Sequence, residues 1–286
     1  MPGPLLVVDT PSLLYRAFYA LPKSIKGADG MPVNALLGLS NLVLQVVDSF
    51  APRATVLCFG AEAAAYRVEH FAGYHADRPE MPEMLVHQWE DAPDFYAAFG
   101  WVSLNAGDLE ADDLLGSLAQ IEDAAGGEAL LFTGDRDMFQ CVGERVRVLF
   151  PAKGSPDLLG PAEVLARYGV TPAQVPDLIA LRGDPSDGIP GAKGIGEKGA
   201  ADLLRRYGDL EGVLAAAEEA TSDMTPRVRG SLTADPDLLR AFKDMATLRM
   251  IELKRPADAL LDRVGASAAA RARGMNRLAE RLGVGT

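Results

Sequence analysis

Cysteine, net basic charge and long apolar runs are all scarce in this chain. Only two cysteines, Cys58 and Cys141, occur in 286 residues, each inside an apolar stretch. They read as buried free thiols of a reducing compartment and exclude a disulfide-stapled scaffold. Lysine and arginine total 28 against 40 acids, a formal net charge of −12. That balance argues against a generally sticky nucleic-acid binder, but leaves room for a local basic surface beside a metal-loaded acidic cleft. No uninterrupted apolar run approaches the roughly 20 residues of a membrane span. The early run LLVV is broken by Asp9 and has no basic lead-in, so it does not read as a signal peptide. What remains, 48% hydrophobic and 24% charged, is ordinary for a globular protein with a large core, in one large domain or two smaller ones.

The apolar pattern suggests strands at 4–9, 54–59, 101–104, 129–133 and 146–150, with helices between them. Ser12 reads as the N-cap of the first helix, Asn34 to Phe50 as the second helix, and VRVLF at 146–150 as the last strand. Residues 61–90 mix basic, aromatic and Met residues with two prolines, and read either as a mobile arch or as two short surface helices. Beyond about residue 155 only helical patterns follow, at 161–168, 172–181, 196–207, 209–220, 236–251 and within 267–282. Alternating strands and helices imply an α/β fold: a mostly parallel central sheet flanked by helices, followed by a helical C-terminal part. The expected division is 1–155 and 156–286.

One stretch organises the rest. In LEADDLLGSLAQI, Glu110, Asp112 and Asp113 open a helix whose apolar stripe is Leu114, Leu115, Leu118 and Ile121. Like charges 4 Å apart repel by about 4 kcal/mol at an effective dielectric near 20. A hard cation with oxygen ligands, Mg²⁺ or Mn²⁺, relieves this. The alternative is acids favoured by the helix dipole. Further carboxylates fall where parallel strands end: Asp9 after the first, Asp135 and Asp137 in TGDRD after the fourth. Asp184 and Asp187 lie in the loop GDPSDGIPG. Singly, each fits a cap or turn. Jointly, they suit two or more divalent ions and phosphodiester hydrolysis.

GIGEKG at 194–199 fits a dinucleotide fingerprint, but no strand precedes it. It reads instead as a Gly-rich hairpin between two helices. Backbone N–H groups of Gly194 to Gly196, with Lys193 and Lys198, would grip a DNA phosphate backbone without reading bases. A plain tight helical corner is the other reading.

These stretches resemble the 5′-nuclease family, which includes the N-terminal nuclease domain of bacterial DNA polymerase I, phage 5′-exonucleases and flap endonucleases. The likeness is carried by LLVVD…SLLYRAFYALP, YHADRPEMPE, LEADDLLGSLA, LLFTGDRDMFQ and YGVTPAQVPDLIALRGDPSDGIPGAKGIGEKGAADLL, and more weakly by LLRAFKDMATLR. No polymerase domain follows, which suggests a stand-alone enzyme. The resemblance implies a PIN-like nuclease core with metal ligands Asp9, Glu110, Asp112, Asp113, Asp135, Asp137, Asp184 and Asp187. It implies a helical arch near 70–95 that passes a single-stranded 5′ end. It also implies a helix–hairpin–helix element near 176–206, often with a K⁺ at residues such as Ser186 and Ile189. Arg16 matches a family arginine near the scissile phosphate, Tyr74 and Arg78 match the arch base, and Lys198 is a further candidate for stabilising phosphate charge.

Three positions depart from the family pattern. Gly60 stands where the family has Asp, His75 where it has Lys, and Gly188 where it has Asn. On this reading Gly60 weakens one metal site, and Gly60→Asp should restore it. His75 exchanges a fixed charge for a titratable one. The function implied is a divalent-metal-dependent 5′–3′ exonuclease and 5′-flap endonuclease of DNA replication and repair. It would be a cytoplasmic, nucleoid-associated monomer that also accepts RNA-primed 5′ strands and has no membrane partner. The rivals are a structure-selective DNA-binding protein that has lost catalysis through Gly60, and a related metal-dependent RNase.

Overall fold

Short runs of aliphatic and β-branched residues, too few for helices and mostly buried on both faces except in the exposed edge strand β3, pair in parallel as β1 (Leu5–Asp9), β2 (Ala54–Phe59), β3 (Val102–Asn105), β4 (Ala129–Phe132) and β5 (Val146–Phe150). A computed structural model describes residues 3–219 and 221–283. In it these strands form one sheet of order β3-β2-β1-β4-β5-β6, the last strand, β6 (Asp157–Leu159), being antiparallel to β5. In β1, Val7 lies opposite Val56 on one side and Leu131 on the other. The strand order therefore reverses at β1, and a crevice opens between the carboxyl ends of β1 and β4.

The helices are α1 (Thr10–Ala20), α2 (Asn34–Phe50), α3 (Ala65–His70), α4 (Glu83–Ala97), α5 (Ala111–Ala124), α6 (Pro161–Tyr168), α7 (Val175–Arg182), α8 (Glu197–Tyr207), α9 (Leu210–Glu218), α10 (Pro226–Thr233), α11 (Pro236–Ala246), α12 (Arg263–Ala272) and α13 (Asn276–Gly283). Successive residues of β1 point to opposite faces. Leu6 and Val8 join a core with α1, α2, α4, α12 and α13. Leu5 and Val7 join another with α5 and α7 to α9, and that core continues without a break into α11. The helical half thus serves both faces of the sheet.

Several expectations are corrected. Asp9, not Ser12, caps α1: its carboxylate accepts the Ser12 N–H at 3.1 Å. VRVLF is not the last strand; β6 follows it, short and mostly exposed, which left no apolar signal. The helix expected over 236–251 ends at Ala246, because the next backbone N–H groups find partners across the molecule. Arg249 N–H donates to Asp113 and Ile251 N–H to the Ser117 hydroxyl, at 2.7 and 2.8 Å. The preceding helix, α10, carried too weak a stripe to be seen. The C-terminal helix is two, broken at Gly274, whose φ is +75° and where a Cβ would stand 2.9 Å from the Ala28 nitrogen. In 61–90, α3 is followed by a turn-rich segment and α4 begins at Glu83.

Candidate active site

The crevice widens into a cleft of about 880 Å³. One wall is Asp9, Ser12 and Tyr15; a second is Glu110, Asp112 and Asp135; a third is the loop from Arg182 to Asp187. The turn segment from Tyr74 to Pro79 covers one side. Sheet topology alone brings the first two walls together, since β1 and β4 are neighbours and α5 starts beside them.

Each acid has its own surroundings. Asp9 is 3% exposed and accepts the Thr133 hydroxyl at 2.5 Å besides its capping bond. Burial raises its pKa above the usual carboxylate range, partly offset by those hydrogen bonds. Asp112 is raised well above that range, first by burial and then by Asp135, Asp9 and Glu110. Asp135 is pushed up to about 7, by burial first and then by Asp187. Asp137 is raised well above by burial, Asp135, Asp187 and Asp184. It lies behind Asp135, which accepts its backbone N–H at 2.9 Å. The cleft's ion pairs lie elsewhere. Arg67 binds Glu110 and Asp113, Arg78 binds Asp187, and Arg182 binds Asp184 and Glu197. Asp9, Asp112, Asp135 and Asp137 take no such partner among the described residues.

Asp113, expected among the metal ligands, sits apart from the other acids in this structure. It is fully buried and outside the cleft. Arg67 grips it with two hydrogen bonds, at 2.9 and 3.1 Å, and it also accepts the backbone N–H groups of Arg249 and Glu110. Glu110 lines the cleft, but accepts the Tyr74 hydroxyl at 2.9 Å and the Ala64 N–H at 2.8 Å, and pairs with Arg67 at 2.9 Å. Arg67 itself, 3% exposed, completes its bonding on the Met245 carbonyl. Little in the sequence signals it; AYRVEH is a short helix with one arginine facing inward. Thr133 and Arg182 also went unnoticed, although each lies two residues before a candidate aspartate.

Gly60 is a close contact between backbones. A Cβ there would lie 2.5 to 2.7 Å from Ala111 N, Glu110 C and Leu109 O, and the Ala61 N–H donates to that Leu109 carbonyl at 2.9 Å. The start of α5 rests on this glycine. Against the expectation that Gly60→Asp restores a metal site, the side chain has no room without displacing the segment that carries Glu110 and Asp112.

The other two departures touch one loop. His75, at φ +54°, stacks on Tyr74 with ring centroids 3.9 Å apart. Its Nδ1 bonds the Glu62 carbonyl at 2.7 Å and its Nε2 meets Asp187 at 3.1 Å, so both ring nitrogens are engaged within the protein rather than facing a DNA strand. Arg78 donates to the same Asp187 oxygen at 3.0 Å. Gly188, at φ +76°, lies so close to the Gly73 carbonyl that a Cβ would come within 2.5 Å of it.

The remaining expected residues are placed as follows. Arg16 is exposed on α1, outside the cleft lining; Lys193 and Lys198 are exposed at the hairpin, with Gly194 at φ +80° and Gly196 as the N-cap of α8. Asp184 accepts the Ser186 N–H and hydroxyl, and its backbone pairs with that of Ile189. Both of the residues expected at a K⁺ site are thus tied to Asp184.

The donor set suits a hard divalent ion. It is all oxygen, and its members push one another's pKa upward with no cation between them. As the side chains stand, no three His, Cys, Asp or Glu groups among the described residues are close enough to hold an ion. Comparison with known proteins decides the family. Residues 4–169 match the 5′–3′ exonuclease N-terminal resolvase-like domain, and 170–263 match the 5′–3′ exonuclease C-terminal SAM fold. The chain belongs to the 5′–3′ exonuclease family. It is 38% identical over 255 residues to a 5′–3′ exonuclease of Streptomyces coelicolor, covering 83% of this chain and 84% of that one. It is 35% identical over 283 residues to one from Mycobacterium tuberculosis, covering 90% and 88%. DNA polymerase I of Mycobacterium leprae is 36% identical over 257 residues, which are 88% of this chain but 28% of the polymerase. In fold, T5 D15 protein co-crystallised with metal ions aligns at a TM-score of 0.69 and 16% identity, covering 97% of this chain and 96% of that one. The catalytic core of Rad2 in complex with DNA aligns at 0.67 and 14%, covering 98% and 91%. Membership of this family makes the chain a nuclease. No helix among the described residues is long and apolar enough to cross a membrane.

Proposed function

We propose that this nuclease is a divalent-metal-dependent 5′–3′ exonuclease and 5′-flap endonuclease, acting on DNA where a single strand meets a duplex. The observation that carries the reading is the row Asp9, Asp112, Asp135 and Asp137. Asp9, Asp112 and Asp135 line the cleft at the sheet's switch point, with Asp137 behind Asp135 and no ion pair to any of the four among the described residues, while Arg78 and Arg182 also line the cleft. Bound Mg²⁺ or Mn²⁺ supplies Lewis acidity, a lowered water pKa and charge to offset the phosphate. Asp112 and Asp135 would hold the ions at the cleft surface, and Asp137 would support Asp135. Thr133 and Ser12 orient Asp9, and Glu110 is fixed by Tyr74 and Arg67. Arg78 and Arg182, which line the cleft, would meet a phosphate, and Arg16 and Lys198, outside the cleft lining, would contact the strand beyond it. The turn segment and α4 would form the arch. The hairpin of Lys193, Gly194, Gly196 and Lys198 would hold the duplex backbone. A K⁺ at Ser186 and Ile189 would have to compete with Asp184 for both. Residues 1–155 and 156–286 would then act as cutting and duplex-holding halves.

The test is cleavage of a 5′-labelled flap DNA with EDTA, Mg²⁺ or Mn²⁺, with RNA-primed and blunt substrates alongside. Metal-dependent cutting near the junction, abolished in Asp135→Asn, is the expected result. Binding without cutting in either metal would favour a DNA-binding protein, and a preference for RNA would favour the RNase reading.

A further inference from the structure

In the helical half many of the cations are matched by an acid. Arg206 pairs with Asp202 and Asp223, Arg240 with Glu211 and Asp237, Lys243 with Asp177, and Arg249 with Asp244. Arg229, also without an acid, is half-buried and donates to Ser222. Lys254, Arg271, Arg277 and Arg281 are exposed and also lack an acid partner among the described residues, but three further exposed cations without one lie around a single hairpin. Lys193 and Lys198 flank Gly194 to Gly196 in sequence. The third, Arg227, comes from α10 and sits against the hairpin in space: a Cβ on Gly194 would be 3.1 Å from its Nη2. The Ser231 hydroxyl, one helical turn on, donates to the Lys193 carbonyl at 2.7 Å and holds α10 in place. Among the described residues none of the three cations has a carboxylate partner. In a chain of net charge −12, three such cations in one place are a surface for a polyanion.

We propose that Lys193, Lys198 and Arg227 together seat a duplex DNA backbone, with Arg227, contributed by α10 rather than by the hairpin, as a further phosphate contact. A bare glycine at 194 lets its guanidinium lie beside the hairpin backbone, where a side chain would crowd it. The inference rests on the hairpin reading above. Each cation that neutralises a phosphate releases about one counterion, so losing it flattens the log–log salt dependence of binding by about 0.9.

The experiment is fluorescence anisotropy of a labelled blunt duplex across a salt series, in EDTA so that no strand is cut. Arg227→Ala, Arg227→Lys, Lys198→Ala and Arg271→Ala are compared with the parent, the last being an exposed arginine on α12. Arg227→Ala and Lys198→Ala are each expected to flatten the slope by about 0.9 and to weaken binding about five- to tenfold at 0.1 M salt. Arg227→Lys should keep most of the slope, and Arg271→Ala should match the parent. If Lys198→Ala flattens the slope and Arg227→Ala does not, the Arg227 contact is wrong while the hairpin reading stands. If neither does, the hairpin reading itself fails. A lowered melting temperature in Arg227→Ala that Arg227→Lys does not restore would assign the residue to packing and overturn the contact.

Discussion

Asp112 and Asp113 are neighbours in one turn of α5, yet they meet opposite electrical surroundings. Asp113 points into the protein, where Arg67 and two backbone N–H groups satisfy it. Asp112 points toward Asp9 and Asp135, which raise its pKa and offer no relief. A buried acid matched by a cation serves the architecture, whereas one left among other acids waits for a ligand. The same contrast separates Asp184, held by Arg182 and Ser186, from Asp135.

Breaking the unmatched group should have the largest effect. Asp135→Asn or Asp112→Asn is expected to lower flap cleavage by about 10³-fold, several kcal/mol of transition-state stabilisation. It should leave the metal-free protein at least as stable, because a repulsion is removed; cleavage rates and thermal melts in EDTA check both. Breaking the matched group should do the reverse. Arg67→Met leaves Asp113 buried and uncompensated, and is expected to cost about 3–5 kcal/mol, read from urea unfolding. Gly60→Asp or Gly60→Ala should destabilise by about 1–3 kcal/mol through backbone crowding. A lower Mg²⁺ requirement in Gly60→Asp would show that the segment from Leu109 to Ala111 can yield.

The smallest effect sharpens the comparison at a distance from the cleft. Glu122 is 1% exposed and receives Arg53 and Arg255. Burial alone would raise its pKa, but the hydrogen bonds from Arg255 and Arg53 prevail and hold it below the ordinary glutamate value of 4.5. A folded-state pKa below the unfolded one gives stability that is present above pH about 4.5 and is lost as pH falls through the folded value. Glu122→Gln should therefore lower stability at neutral pH and flatten its decline below about pH 4.5. A variant with an unchanged acid limb would remove Glu122 from the matched class.

Much of this was legible in the chain. Strands such as LLVVD and ATVLCF are apolar runs too short for helices, and Asn34–Phe50 shows its helical stripe directly. Strand ends marked Asp9 and Asp135, since the chemistry of a parallel sheet gathers there. What could not be read depends on tertiary partners. Nothing local separates Asp112 from Asp113 until Arg67 is brought from another helix. Gly60 reads as a missing carboxylate, and only the backbone pressed against it shows a steric need. The segment 247–262 keeps a helical composition at its start, but is held irregular by bonds to Asp113, Ser117 and Arg53. Arg227 belongs to a helix whose periodicity is weak.

The most direct test compares Asp112→Asn with Asp113→Asn by thermal melting, in EDTA and then with saturating Mg²⁺. An ion bound only by the folded state raises the melting temperature. The account predicts that Asp112→Asn melts at or above the parent in EDTA and gains little from Mg²⁺. Asp113→Asn should melt well below the parent in EDTA and keep the Mg²⁺-induced rise. The opposite pattern, a stable Asp113→Asn that has lost its response to Mg²⁺ beside a destabilised Asp112→Asn that keeps it, would contradict the assignment of the two aspartates.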